Sequence, residues 1–354
     1  MIPAAATALL LHAITGVIGR IGHMRAADWR IPGPSVWVFA IAVMCWLVLC
    51  WLVRRSREGA VLAGFLLPVV AALVLWPEPV VVTARELEVT AIDVGQGDSL
   101  LLVSPDGGTM LIDAGGPTGR GENAALSTRF DVGEDVVSPY LWSRRLRHLD
   151  VVVLTHAHSD HMGGMAAILR NFRPCELWVG VDPRSEAYAG LLREAGDLGV
   201  TVRHLRAGDA REWRGLGIRA LAPALSYENH GAPVNNDSLV LRVEYGRASV
   251  LLEGDAETPS ERAMLAAGKV QPVTLLKVGH HGSRTSSTPE FLAAAQPRMA
   301  VISVGRNNTF GHPRAEVIAR MAAAHVRLYR TDRFGLTQFL LTREGDIREI
   351  ESEP

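Results

Sequence analysis

The chain lacks an excess of charge of either sign. Its 36 Lys and Arg stand against 37 Asp and Glu, a net charge of −1. A chain so balanced carries no global basic signature of nucleic-acid binding, so any such footprint has to be local. Cysteine is scarce as well: Cys45 and Cys50 lie in an apolar run and Cys175 stands alone. That excludes a disulfide framework and a cysteine-rich metal site. The first 24 residues are mostly apolar but have no basic segment ahead of the apolar run, which makes a poor secretory signal. With 354 residues the chain has room for one large domain or two smaller ones.

Apolar residues concentrate in the first quarter. Residues 36–53 are eighteen residues without a charge, and 60–76 form a second uncharged run of nearly the same length. Each is long enough for a transmembrane helix, which gives a membrane segment over 35–82. RRSREG lies between them, and the positive-inside tendency puts it in the cytoplasm with both flanks outside. Arg25 and Arg30, just before the first span, weaken that contrast. Trp37, Trp51 and Trp76 sit near the ends of the two runs, as in an interfacial belt; two buried helices of a soluble domain are the competing reading. In residues 1–34, Leu10, Ile14, Val17, Ile18 and Ile21 recur at helical spacing, interrupted by His12, Thr15 and Arg20, which predicts an interfacial helix followed by a linker.

From 83 to 354 the pattern is that of an α/β domain. Residues 86–93 alternate as a half-buried strand, 94–98 turn, and 99–103 and 110–113 are strands. The loop at 117–133 could border a site, and 139–147, capped by Ser138, predicts a helix ending in Arg144, Arg145 and Arg147. Those arginines could meet phosphate or form a solvated face. The centre of the domain is LTHAHSDHMGG at 154–164, directly after an apolar β-branched run. His156, His158, Asp160 and His161 are donors of the kind zinc, manganese and iron take from proteins, and a turn at a strand end can aim several at one point. His156 and His158 project to the same side of an extended segment; Asp160 and His161 sit on the bend and could hold a second ion. Three further stretches end strands with polar residues: SVLLEGDA at 249–256, LLKVGHHGSRTSS at 275–287, and NNTFGHP at 307–313 with His312. His204 reads as structural, and His230 lacks companions.

HxHxDH after an apolar strand resembles the metallo-β-lactamase-fold hydrolases. DVGQGDS at 93–99 and HHGSxTSS from His280 narrow this to the C-terminal domain of ComEC-type DNA-uptake proteins, with a related pattern in some choline-phosphate esterases of the same fold. The resemblance spans 86–350. It implies an α/β metallo-β-lactamase fold, an αββα sandwich, preceded here by two transmembrane helices. It also implies one or two divalent ions, zinc or manganese, held by His156, His158, Asp160, His161, Asp255 and His280. Asp255 would bridge the ions and Asp113 would orient the metal loop. Either His280 or His281 closes the second metal site; the residue directly after the strand, His280, is preferred, leaving His281 to face substrate. Asp160, His281 and His312 are the catalytic candidates, with His312 stabilising developing charge or protonating a leaving oxygen. Gly95 and Gly97 would allow special backbone conformations and close approach. Many relatives with two fully liganded ions have a histidine near Asn235 and Asn236; the asparagines here leave the first ion either short of one protein ligand or bound only with substrate present, with His230 a less favoured substitute from the loop.

The implied function is a membrane-anchored metal-dependent hydrolase, a nuclease acting on single-stranded DNA during uptake. Its domain would face the periplasmic side of the inner membrane, working with a separate channel subunit or a missing channel region. The alternatives are a small-ester, phosphodiester or lactam hydrolase of the same fold, and a non-catalytic DNA-guiding module. ComEC-type proteins have many more transmembrane helices and a further N-terminal domain, which implies a truncated, split or fragmentary member.

Overall fold

A computed structural model describes residues 4–22, 33–75, 83, 85–117 and 130–350. Arg25, Arg30, Trp76, the prolines at 77 and 79 and most of the loop at 117–133 lie outside the described residues. The chain divides into two compact units, Met1–Glu78 and Pro79–Pro354.

The first unit holds three helices, α1 (Ala4–Gly22), α2 (Val36–Arg55) and α3 (Arg57–Leu75). Ser35 caps α2 by accepting the Val38 N–H at 3.4 Å. Only Ser56 separates α2 from α3, and its hydroxyl accepts the Gly59 N–H at 2.9 Å. A Cβ on Gly59 would lie 2.4 Å from the Leu52 carbonyl oxygen, so glycine there lets the two helices turn back on each other tightly. Both α2 and α3 are long and apolar enough to cross a membrane. Their large side chains are mostly exposed, Trp37 by 79% and Phe65 by 74%, so the pair does not bury its own apolar surface.

The second unit is built on two sheets. Its strands are β1 (Glu86–Ala91), β2 (Leu100–Val103), β3 (Thr109–Ile112), β4 (Val151–Val153), β5 (Glu176–Val179), β6 (Thr201–His204), β7 (Ala210–Trp213), β8 (Leu216–Ala222), β9 (Val240–Tyr245), β10 (Ala248–Leu252), β11 (Leu275–Lys277), β12 (Met299–Ile302), β13 (Arg327–Arg330), β14 (Thr337–Thr342) and β15 (Ile347–Ile350). One sheet runs β15-β14-β1-β2-β3-β4-β5-β6, the other β13-β12-β11-β10-β9-β8-β7. Alternation along the strands decides the layering. Leu87, Val89, Leu100, Leu102, Met110, Ile112, Val151 and Val153 share one buried cluster with Leu241, Val243, Val250, Leu252, Leu275 and Val301, so these faces of the two sheets pack together. The intervening residues, Leu101, Leu111 and Val152, pack on Ile168, Leu169 and Leu191 of the helices outside the first sheet. Val240, Leu251 and Leu276 do the same against Met264, Phe291 and Val317. The result is the expected αββα sandwich.

One local expectation is corrected. The helix placed at 139–147 with Ser138 as its cap begins earlier, as a π-helical turn at Gly133–Val137 that runs into Ser138–Ser143. Ser138 is inside the helical stretch and Asp131 accepts the Glu134 N–H instead, at 3.2 Å. Arg144 is committed to the fold: it contacts Glu88, a buried acid of β1, through both carboxylate oxygens, and the Tyr140 hydroxyl at 2.9 Å.

The turn after β1 is the bed on which the turn after β4 rests. Gly97 has φ +133°, and a Cβ there would fall 2.3 Å from the Asp160 carbonyl oxygen, while the Asp98 N–H donates to that same oxygen at 3.2 Å. Gly95, with φ +75°, has open space around its would-be Cβ. Gly97→Ala should therefore cost roughly 2–3 kcal/mol and lower the thermal midpoint by at least about 5 °C, and Gly95→Ala only about 1 kcal/mol. Thermal unfolding of the two variants beside the parent checks this; equal shifts would contradict the close-approach argument.

Candidate metal centre

Strand direction gathers the polar turns at one end of the sandwich. β1, β3 and β4 run the same way, as do β10, β11 and β12. Their C-terminal ends deliver Asp98, Asp113, residues 155–161, Asp255, residues 279–281 and Ser303. The two sheets meet here in the backbone. The Leu239 N–H donates across to the Thr155 carbonyl at 2.8 Å, while within the second sheet the Asp255 N–H donates to Ser238 Oγ at 3.0 Å. A Cβ on Gly254, at φ +53°, would lie 2.9 Å from Thr155 Cβ.

Asp160, His161, Asp255 and His281 converge on one point, each offering one ligand atom, and all but Asp160 are buried. His161 Nε2 lies 3.2 Å from Asp255 Oδ1, and His281 Nε2 lies 3.4 Å from Asp160 Oδ2 and 3.6 Å from Asp255 Oδ2. Donors about 2.0–2.2 Å from one tetrahedral zinc ion stand roughly 3.4 Å from each other. His161 Nε2, Asp255 Oδ1 and His281 Nε2 are buried without a hydrogen-bond partner, a condition that ordinarily costs stability and that an ion would relieve. On donor chemistry, spacing and unsatisfied atoms the set fits a divalent ion.

The opposite nitrogen of each histidine is held. His161 Nδ1 meets Asp113 Oδ2 at 2.7 Å, and Asp113 also accepts the Thr155 N–H at 2.8 Å and its hydroxyl at 2.7 Å. His281 Nδ1 meets the Ser303 carbonyl at 2.9 Å. A carbonyl accepts only, so His281 carries its proton on Nδ1 when neutral and turns a lone pair inward.

His156 and His158 make a second pole. His156 Nε2 and His158 Nδ1 are 2.9 Å apart, and His158 Nε2 contacts the Pro233 carbonyl at 3.0 Å. Two nitrogens that face each other could hold an ion, but a third donor is not supplied from Asn235 or Asn236. Asn235 contacts the His280 ring at 3.3 Å and Asn236 accepts the Glu257 N–H at 3.1 Å. His230 and His204 are surface partners of Glu228 and Asp182, each at 2.9 Å.

Of the paired histidines, the geometry brings His281 rather than the preferred His280 next to Asp160, His161 and Asp255. His281 enters the cluster, while His280 is 21% exposed, 3.2 Å from Glu257 Oε1 and 3.8 Å from Asp255 Oδ2. Simple alternation after β11 fails because both residues adopt left-handed backbone, φ +48° and +52°. His312 reaches the same mouth, its ring centroid 5.5 Å from that of His280. Burial, His280, His281 and Arg314 press its pKa down to about 4, so it is a neutral imidazole at pH 7, suited to donating a hydrogen bond rather than to delivering a proton. The hydroxyls of 283–288 are largely used internally: Ser286 donates to the Ala256 carbonyl at 2.7 Å, and Thr288 caps the next helix.

Two residues were missed by the sequence reading. Asp98 is buried at the floor of the cluster, and Lys277, 1% exposed, places its ammonium against it. Lys277 also donates to the Gly254 carbonyl at 3.0 Å and lies 4.0 Å from Asp255 Oδ1. The signal was available: a lysine at the inward position of an otherwise apolar strand, in a chain with only two lysines, Lys269 and Lys277. Burial alone would raise the Asp98 and Asp255 pKa values, yet both fall, Asp98 through Lys277 and His281, Asp255 through His281 and His161. Burial opposes charge on His281, but Asp255 and Asp98 win and raise it to about 10; His161 is raised well above its usual value by Asp255 and Asp113.

Without a metal ion, the charged His281 contributes stability that is fully present below pH 6.5 and is lost as pH rises towards about 10. A divalent ion must displace the protons of His161 and His281, so binding near pH 7 should release about two protons and tighten by up to about a hundredfold per pH unit. Calorimetric titration with Zn²⁺ or Mn²⁺ in buffers of different ionisation enthalpy checks this, and binding without proton release would contradict the protonated cluster.

Comparison with known proteins agrees with this architecture. The family model described as the metallo-beta-lactamase superfamily matches residues 92–306. The chain is similar to ComE operon protein 3 of Bacillus subtilis, 32% identical over 94% of this chain and 42% of that protein. It is also similar to competence protein ComA of Neisseria gonorrhoeae, 33% identical over 89% of this chain and 40% of that protein. It thus spans less than half the length of either relative. Among solved structures, the metallo-beta-lactamase fold protein YhfI of Bacillus subtilis aligns with a TM-score of 0.45 and 14% identity, over 75% of this chain and 100% of that one. With the family model covering more than half of its length, the chain belongs to the metallo-β-lactamase superfamily.

Proposed function

We propose that this chain is a membrane-anchored, metal-dependent phosphodiesterase that cleaves DNA during its uptake. The observation that carries the reading is the four-donor cluster of Asp160, His161, Asp255 and His281, with unsatisfied atoms aimed at one point at the open end of the sandwich. The competence proteins to which the chain is similar support DNA as the substrate class. The exposed apolar surfaces of α2 and α3 support a lipid environment.

A divalent ion in this set supplies Lewis acidity, making water nucleophilic at neutral pH and screening phosphate charge. The protein's own residues do the rest. Asp113 and the Ser303 carbonyl fix the rings of His161 and His281, so ligand geometry is set before anything binds. Lys277 holds Asp98 ionised under the cluster without touching solvent. His156 and His158 offer a weaker second position facing the first. His312 presents a neutral ring at the mouth, where it can donate to charge developing on a leaving oxygen.

The test is cleavage of a single-stranded oligonucleotide by the detergent-solubilised full chain with added Mn²⁺ or Zn²⁺. Asp255→Ala should lose at least one ion and all measurable activity. His312→Ala should keep its metal and lower the rate about a hundredfold. Nitrocefin turnover without DNA cleavage would make the protein a lactam hydrolase instead, and metal-independent DNA binding without cleavage would make it a guiding module.

Topology follows from Arg54, Arg55 and Arg57 at the α2–α3 junction. If these are cytoplasmic, the hydrolase unit lies on the periplasmic side of the inner membrane. A C-terminal fusion should then be active with alkaline phosphatase and dark with GFP; the reverse pattern would put the unit in the cytoplasm.

A further inference from the structure

The loop after β12 holds an exposed aromatic ring beside the centre. Phe310 is 46% exposed and stacks on His312, with ring centroids 6.0 Å apart and planes 27° from parallel. His312 in turn meets His280, whose ring stands next to Asp255. The loop is fixed rather than free. Asn308 donates through Nδ2 to the Gly305 carbonyl at 3.0 Å and the His312 carbonyl at 2.7 Å, and its Oδ1 accepts the His312 N–H at 3.0 Å. The Arg314 N–H donates to the Gly282 carbonyl at 2.9 Å, which ties this loop to the turn carrying His281.

A solvent-exposed Phe on a flexible surface loop needs no explanation. This one is different because three hydrogen bonds from one side chain hold the turn that presents it, and its own ring rests on a candidate catalytic histidine. Its loop and the neighbouring turn carry arginine: Arg306 and Arg314 are exposed on the loop, Arg306 donating through Nε to the Asp332 carbonyl at 3.3 Å, and Arg284 is exposed on the turn. A rigid aromatic face on an arginine-bearing loop matches a nucleobase joined to a phosphodiester backbone. A paired base inside a duplex has both faces covered, whereas an unstacked base offers one.

We propose that Phe310 is the stacking platform for an unpaired nucleobase adjacent to the scissile phosphate, and that it gives the centre its preference for single strands. The proposal rests on the phosphodiesterase reading above and deepens it by naming a base subsite.

The test uses the full chain in detergent with Mn²⁺ and an oligothymidylate in which each base in turn is replaced by an abasic tetrahydrofuran residue. For the parent, removing the base next to the cut should raise KM about ten- to a hundredfold, the size expected of one base–aromatic stack. Phe310→Ala should show that loss on the intact oligonucleotide, suffer no further loss on the abasic one, and retain normal metal content. Phe310→Trp should restore KM, and its indole emission should be quenched on adding oligothymidylate. Unchanged KM in Phe310→Ala, or equal sensitivity of parent and variant to the abasic position, would overturn the subsite while leaving the nuclease reading intact. A parent that neither binds nor cuts the oligonucleotide would overturn both.

Discussion

Asp98, Asp113 and Asp255 are carboxylates buried at one end of a sandwich, and burying a charge costs several kcal/mol unless a partner is buried with it. The fold meets this constraint by bringing cations to the same place. His161 lies between Asp113 and Asp255, His281 faces Asp98, Asp160 and Asp255, and Lys277 sits on Asp98. Each charge is tolerated only because the others are present, so the cluster behaves as one unit in which both histidines carry protons that a metal ion can replace. The lysine is the exception: it stays on Asp98 and makes that carboxylate part of the floor rather than a free donor.

The rest of the geometry serves to keep these groups close. Glycines at 97, 116 and 254 let three strand-end turns approach to distances that any side chain would prevent; at Gly116 a Cβ would fall 1.9 Å from the Ser159 carbonyl oxygen. Asp113 bonds backbone and side chain of Thr155 as well as His161, so the loop that bears the histidines is anchored to β3. The two poles of the centre are unequal as a result. One has four convergent donors, the far nitrogens of its two histidines held by Asp113 and the Ser303 carbonyl; the other has His156 and His158 facing each other, with the asparagines opposite occupied elsewhere.

Much of this was legible in the sequence. Residues 86–93, 99–103 and 110–113 were legible as strands and HxHxDH after β4 as the main turn, because strand ends and turn residues are local features; the half-buried character expected of 86–93 was not met, since Glu88 and Thr90 are buried along with Leu87 and Val89. What escaped was what depends on tertiary packing. Lys277 was hidden in an apolar strand whose inward side turned out to face carboxylates. Asp98 follows two glycines in a turn, where an acid is ordinarily solvated, and only the packing of the two sheets buries it. His280 and His281 could not be told apart because two consecutive left-handed residues break the alternation on which the expectation rested. Arg144, in a basic cluster that could have met phosphate, proved to be spent on Glu88.

The central claim, that Asp160, His161, Asp255 and His281 form a divalent-metal site above the Lys277–Asp98 pair, is tested most directly by a crystal grown with Mn²⁺ and measured at a wavelength where manganese scatters anomalously. The account predicts a peak about 2.0–2.3 Å from each of the four donor atoms, with Lys277 still seated on Asp98. A peak coordinated by Asp98 with Lys277 displaced, one held by His280 in place of His281, or none at saturating Mn²⁺ would contradict it.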